Sequence, residues 1–347
     1  MSKPSIREVA KLAAVSTATV SNVFSGKKPV NEALQKRVRD AANALGYQVD
    51  RAASQLRSKR NKVITVLVPN ITDTFFATIV SHLENLAFEQ GYDVIVASCH
   101  DRPEVENSRI SALMSWRPAG MIAIPCSGTL SPLLLHLKAT CPTVLIDRVA
   151  AHEAPFDTVT LDNHSAGRRA CQYLSKMGHH RVLIAASNLS FPPIDERAKG
   201  ALEAMSALGL STPDVIELGS SVEDGSKILD EWLDKHSRPS VIFALTNVTT
   251  LSCLTVFAER DIKVGSDISL LAFDDDAWMS ARSVGLTVMR QPAEQMAKNA
   301  WSRLLQRVDS EINNVNPVAS ILKAELIERQ SVQDMSGNEK VHSLSSS

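Results

Sequence analysis

From Val63 to Asp276 the chain repeats one pattern, a short apolar run followed by an amphipathic stretch and then another apolar run. The runs are VITVLVP (63–69), YDVIVAS (92–98), GMIAIP (120–125), TVLIDR (143–148), TVTLD (158–162), RVLIAAS (181–187), SVIFALT (240–246) and ISLLAFDDD (268–276). Most of the stretches between them, such as 75–90 and 164–177, carry helical spacing. Alternation of this kind predicts an α/β body of parallel sheets covered by helices on both faces. Several runs end in a polar group: Asp147, Asp162, Asn247 and Asp274. Ligands of open α/β sheets bind beyond the carboxyl ends of strands, so these positions mark where a pocket would form.

The first 62 residues are of a different kind. They hold thirteen basic and four acidic residues, whereas the remainder of the 347-residue chain holds 24 basic and 34 acidic ones. A compact basic segment on an acidic body points to a polyanionic partner for the former. Ile6, Val9, Ala10 and Ala13 form one apolar stripe at helical spacing. Ser16 is placed to cap a second helix that turns Val20, Val23 and Phe24 inward and leaves Thr17, Ala18, Ser21, Asn22 and Ser25 outward, with Gly26 ending it. Asn31 can cap a third helix carrying Leu34, Val38, Ala41, Ala42 and Leu45, closed by Gly46. Two short helices joined by a tight turn, packed on a third and strongly basic, match the helix-turn-helix, whose second helix enters the major groove. Small outward residues let that helix approach the bases, and Ser, Thr and Asn side chains bond to phosphates or base edges.

Five scattered cysteines with no C-x-x-C pair indicate neither a disulfide frame nor a metal site. The N-terminus lacks an apolar secretory core and no run approaches a membrane span, which points to a cytoplasmic location without membrane attachment. No phosphate-cradling glycine loop, H-E-x-x-H or G-x-S-x-G motif is present, so no catalytic constellation and no cofactor is expected. The polar, serine-rich end, 331–347, reads as disordered.

The segment IREVAKLAAVSTATVSNVFSGKKPVNEALQKRVRDAANALGY, followed by RAASQLRSKRNKVITVLVPNITDTFF, closely resembles the lactose-repressor and galactose-repressor family of bacterial transcription regulators. GHHRVLIAAS, ERAKG, FALTN, AFDD and LTVMRQP extend the resemblance through the body. It implies a helix-turn-helix domain (1–47), a hinge helix and linker (48–62) and an effector-binding, dimerising core (63–330) like periplasmic sugar-binding proteins. The core would hold two α/β subdomains, 63–160 with 292–320 and 161–291 with 321–330, joined by three crossovers around a cleft.

Residue by residue, the resemblance assigns base reading to Thr17, Ala18 and Asn22, beside Ser16 and Ser21, and a minor-groove wedge to Leu56 in a basic hinge with Arg51 and Arg57. Ala14 stands where relatives usually have Gly, so a left-handed turn there would cost about 1 kcal/mol. In the cleft, Asp147, Arg197, Asn247 and Asp274 match positions that hold sugar hydroxyls, and Phe75 and Phe76 match aromatic cleft residues. An aromatic expected near residue 221 is missing, and Trp278 is the candidate to supply that ring. Arg148 and Arg197 together would suit a sugar acid, because a guanidinium binds a carboxylate bidentately. The expected function is a DNA-binding regulator, most often a repressor in the family, acting as a dimer on a palindromic operator under control of a sugar or sugar-acid effector. The alternatives are a DNA-binding regulator without a ligand and a sugar-binding protein without DNA regulation.

Overall fold

The computed structural model describes residues 4–25, 28–47, 62–149, 154–309 and 316–337. They form two units, divided between Asn61 and Lys62. Gly26 and the hinge residues Arg51, Leu56 and Arg57 lie outside the described residues.

The first unit consists of α1 (Ile6–Leu12), α2 (Thr17–Ser25) and α3 (Glu32–Leu45). Ser5 and Glu8 form a reciprocal capping box at the start of α1, so two otherwise orphaned N–H groups are satisfied locally. The turn after α1 closes through Val15 N–H donating to the Ala10 carbonyl at 3.0 Å, and it holds Ala14 at φ 50°. Ser16 Oγ accepts the Thr19 N–H at 3.1 Å and so caps α2. Asn31 caps α3, and Gly46 ends it at φ 63°. The core is Val9, Ala10, Ala13, Val20, Val38, Ala41 and Ala42. Phe24 and Leu45, expected inside, are instead 38% and 37% exposed because they lie at the far ends of α2 and α3, beyond the three-helix contact. Phe24 rests on the Tyr47 ring, 6.0 Å between centroids.

A left-handed conformation costs an L-residue about 1–2 kcal/mol, while glycine adds about 0.4–1 kcal/mol of unfolded-state entropy. Ala14→Gly is therefore expected to stabilise the first unit by up to about 1 kcal/mol. Slower hydrogen exchange of the α1 to α3 amides in the full chain would show the gain; faster exchange would show that the turn carries no strain.

The second unit has two lobes, each built on a six-stranded sheet. The first sheet contains β1 (Val63–Val68), β2 (Asp93–Ser98), β3 (Gly120–Ala123), β4 (Thr143–Ile146), β5 (Asp157–Leu161) and β11 (Ala319–Leu322). The second contains β6 (Val182–Ala186), β7 (Asp214–Glu217), β8 (Val241–Ala244), β9 (Ser269–Phe273), β10 (Thr287–Arg290) and β12 (Glu325–Ile327). Their orders are β2-β1-β3-β4-β5-β11 and β7-β6-β8-β9-β10-β12, the same strand order twice. Every pairing is parallel except β10 with β12. All eight apolar runs form strands; β7, β10, β11 and β12 are additional.

Helices cover both faces of each sheet. In the first lobe α4 (Thr74–Glu89) and α12 (Ala293–Asp309) bury Ile79, Leu83, Trp301 and Leu304 on one side, while α5 (Pro103–Met114) and α6 (Pro132–His136) bury Ile110 and Leu134 on the other. In the second lobe α7 (Asn163–Lys176) and α8 (Pro192–Ala207) pack opposite α9 (Val222–Lys235) and α10 (Asn247–Glu259), and α11 (Ala277–Ser280) follows β9. The chain passes between the lobes after β5, after β10 and between β11 and β12.

Residues 331–335 are not a loose tail, contrary to expectation. Ser331 is fully buried, its Oγ donates to the Leu270 carbonyl at 2.6 Å and accepts the Thr287 N–H at 2.7 Å, and Met335 N–H donates to Met177 at 2.8 Å. Polar composition misled because these polar atoms satisfy backbone groups of β9 and β10 and of the end of α7 rather than water. Among the described residues, no helix is long and apolar enough to cross a membrane.

Candidate functional site

The first unit presents one polar face. Ser16, Thr17, Ala18 and Ser21 are exposed and Asn22 is half-buried, while Val20 on the opposite side of α2 is fully buried. Arg7, Lys11, Lys28, Lys36 and Arg39 are also exposed on this unit. Arg37 donates to the Ala13 carbonyl at 2.6 Å, which ties α3 to the turn that sets the entry of α2.

In the second unit a cavity of about 450 Å³ lies beyond the carboxyl ends of both sheets, between the lobes. The loops after β1, β2 and β4, with the first turn of α4, bring Asp73, Phe75, Phe76, Asp101, Asp147 and Arg148 from the first lobe. The loops and helix starts after β6, β8, β9 and β10 bring Phe191, Arg197, Asn247, Asp274 and Gln291 from the second. Seven of the eight effector residues read from the sequence thus line one cavity: Phe75, Phe76, Asp147, Arg148, Arg197, Asn247 and Asp274.

Trp278 is the exception. Its Nε1 donates to Asp276 at 3.2 Å, and its ring borders a separate shallow groove with Thr74, Thr78 and Ser81. α11 follows β9 by only three residues, which carries the ring past the cleft mouth. The second-lobe ring in the cavity is that of Phe191, at the cap of α8. Asp162, also at a strand end, accepts the Ser165 N–H at 3.0 Å as the cap of α7 and does not line the cavity.

Arg197 is 3% exposed. Its Nε donates to Asn163 Oδ1 at 2.8 Å, its Nη1 donates to the Leu245 carbonyl at 2.7 Å, and its guanidinium lies 3.6 Å from the centroid of the Phe273 ring. Burial lowers its pKa, opposed by the fields of Asp274, Asp147 and Asp73. Arg148 pairs with Asp101 at 3.1 Å and sits between the rings of Phe76 and Phe191, 5.2 and 4.1 Å from their centroids. That sandwich spans the two lobes. So does Thr74, whose hydroxyl donates to Asp276 at 2.7 Å and accepts from Asn247 Nδ2 at 3.0 Å.

Asp147 and Asp274 both sit just past strand ends in left-handed conformations, φ 54° and 72°, which Asp tolerates better than most residues. These turns direct their side chains away from the sheets. Asp274 Oδ1 accepts from Gln291 Nε2 at 2.7 Å. Burial pushes the Asp274 carboxyl up to about 7, against the lowering field of Arg197. Burial also raises Asp73, the cap of α4.

A carboxyl raised in the folded state binds a proton that the unfolded chain has lost, so stability falls as pH rises from about 4 to 7 and is level above that window. Asp274→Asn keeps an acceptor for Gln291 and cannot ionise. The stability of Asp274→Asn minus that of the parent protein is therefore expected to grow by a few kcal/mol between about pH 4 and pH 8. Denaturant unfolding across that range tests it, and a constant difference would contradict a buried, raised Asp274.

Asp73, Asp101, Phe191, Asn163 and Gln291 were missed in the sequence. Asp101 and Phe191 follow strand ends in CHDR and SNLSFPP, and the strand-end rule applied to β2 and β6 would have reached them. Among the described residues, no group of His, Cys, Asp and Glu is arranged to hold a metal ion.

The family pattern described as "Bacterial regulatory proteins, lacI family" matches residues 5–50, and that described as "Periplasmic binding proteins and sugar binding domain of LacI family" matches residues 61–323. The HTH-type transcriptional repressor CytR of Escherichia coli (strain K12) is 28% identical, with 94% of this chain and 96% of that protein covered. The ribose operon repressor of the same strain is 27% identical over 87% of this chain and 92% of that protein. Among solved structures, the lac repressor dimer bound to operator and the anti-inducer ONPF superposes with a TM-score of 0.82 at 21% identity, covering 96% of this chain and 100% of that one. A complex of the transcriptional regulator CelR with cellobiose gives 0.69 at 25% identity, covering 94% and 99%.

Proposed function

The chain belongs to the LacI family of bacterial regulatory proteins, and we propose that it is a cytoplasmic transcriptional repressor whose DNA affinity is set by a carbohydrate held between the two lobes of its core. It is a regulator and not an enzyme. The observation that carries the reading is the convergence of Asp147, Arg197, Asn247 and Asp274, from both lobes, on one cavity at the carboxyl ends of two sheets. Planar Asp, Asn and Arg groups span adjacent hydroxyls, and Phe75 and Phe76 supply apolar faces for a ring.

On DNA, Thr17, Ala18 and Asn22 read base edges from α2, with Ser16 and Ser21 on the same polar face. Leu56, between Arg51 and Arg57, wedges into the minor groove. One recognition helix covers too few base pairs, so the protein acts as a homodimer on a two-fold operator. The ligand acts by its differential affinity for two lobe arrangements, and the Thr74 link to Asn247 and Asp276 holds one of them. Between the two effector classes, a neutral sugar is favoured over a sugar acid, because Arg148 is already paired with Asp101.

Selection of bound duplexes from a randomised pool tests the DNA half of this reading. The expected product is a palindrome, with Asn22→Ala relaxing preference at one position in each half-site by about 1–3 kcal/mol. Recovery of sequences without two-fold symmetry would overturn it.

A further inference from the structure

The cations visible in the sequence suggest a cleft made for an anion; the geometry points the other way. Arg148 is answered by Asp101 at 3.1 Å. Arg197 faces the fields of Asp274, Asp147 and Asp73, of which burial draws Asp274 and Asp73 toward their neutral forms. Asp147 and Gln291, 6% and 7% exposed, both line the cavity, and each holds a buried side-chain oxygen with no hydrogen-bond partner among the described residues. Asn247 Oδ1 is the third such oxygen. Its sense is fixed: the Thr74 hydroxyl gives its proton to Asp276, so it can only accept from the Asn247 amide, and the Asn247 oxygen is left as an acceptor. Gln291 is oriented likewise, its amide donating to Asp274.

The buried side-chain atoms of this wall that lack a partner are therefore all acceptors, and one of them belongs to the Asp147 carboxyl group. A sugar acid would add acceptors and another negative charge. A neutral sugar supplies hydroxyl donors but no cation for Asp147, which has no ion-pair partner among the described residues. A protonated amine supplies three donors and one positive charge at once, and a buried carboxylate gains most from such a partner. We propose that the effector is an amino sugar, its ammonium group held by Asp147 and its ring hydroxyls donating to Asn247 and Gln291. This rests on the carbohydrate reading of the cleft and narrows it to a cationic member.

The test is calorimetric titration of the full chain at neutral pH with glucosamine, galactosamine and mannosamine, each beside its neutral parent hexose and its N-acetyl form, and with gluconate. At least one free amine is expected to bind about tenfold or more tightly than its parent and its N-acetyl form, the range of a close charge pair. Asp147→Asn, which tolerates the same left-handed backbone, is expected to erase that preference. Asp162→Asn, at a strand end outside the cavity and able to cap α7 as Asp162 does, should leave it in place. A neutral hexose or gluconate that binds as well as the amines would overturn the proposal and leave the carbohydrate reading standing. Persistence of the preference in Asp147→Asn would remove Asp147 as the anchor and overturn the proposal as stated. Silence across the whole panel would overturn the carbohydrate reading as well.

Discussion

Gly167→Ala or Gly200→Ala is expected to lower the stability of the core by roughly 3 kcal/mol or more, the upper end of overpacking costs. The two glycines lie where α7 crosses α8. A Cβ on Gly167 would stand 1.9 Å from the Arg197 carbonyl oxygen, and one on Gly200 would stand 1.9 Å from that of His164. Both obstacles are backbone, so relief requires separating the helices. For a unit of this size 1 kcal/mol corresponds to about 2–4 °C, which makes the expected fall in melting temperature roughly 6–12 °C. A change of less than about 2 °C would show that the helices part cheaply. The crossing also sets the cleft, because Asn163 starts α7, Arg197 rides on α8, and the two are bonded at 2.8 Å.

The second large effect is expected at Arg197 itself. Arg197→Met keeps most of the side-chain volume and its packing on Phe273, yet removes the charge and the donors. Carbohydrate affinity is expected to fall by about 100-fold or more, which is on the order of 3 kcal/mol. Stability should fall too, because Asn163 and the Leu245 carbonyl lose a buried partner and Asp274 loses its neighbouring cation. DNA binding without ligand should persist, since the helix-turn-helix is a separate unit. Titration well below the melting temperature separates the two effects. An Arg197→Met protein that still responds to ligand would take Arg197 out of the binding site.

What the sequence shows and what it hides differ by location. Runs such as VITVLV and SVIFALT announce buried strands because every residue is apolar. β7, β11 and β12 lie at or beside sheet edges with half-exposed residues, and their short segments, DVIE, ASIL and ELI, carry no such signal. β10 is largely buried, but its segment, TVMR, is no continuous apolar run and ends in an exposed Arg290. In the cleft, Arg197 and Asp274 were legible from the blocks around them. Phe191 was within reach of the same strand-end rule, past the end of β6, but it was passed over because only polar strand ends were read as marking the pocket. Arg148 shows the limit most plainly: its position was read correctly, but the Asp101 that neutralises it comes from another loop, 47 residues away.

The central claim is that occupancy of the cleft sets affinity for DNA. The most direct test is fluorescence anisotropy of the full chain on its selected palindrome, with and without a carbohydrate that binds in calorimetry. The account predicts a change of about fivefold or more in the dissociation constant, a coupling of at least about 1 kcal/mol, that is lost in Arg197→Met. An operator affinity unchanged by a saturating, cleft-bound carbohydrate would contradict it.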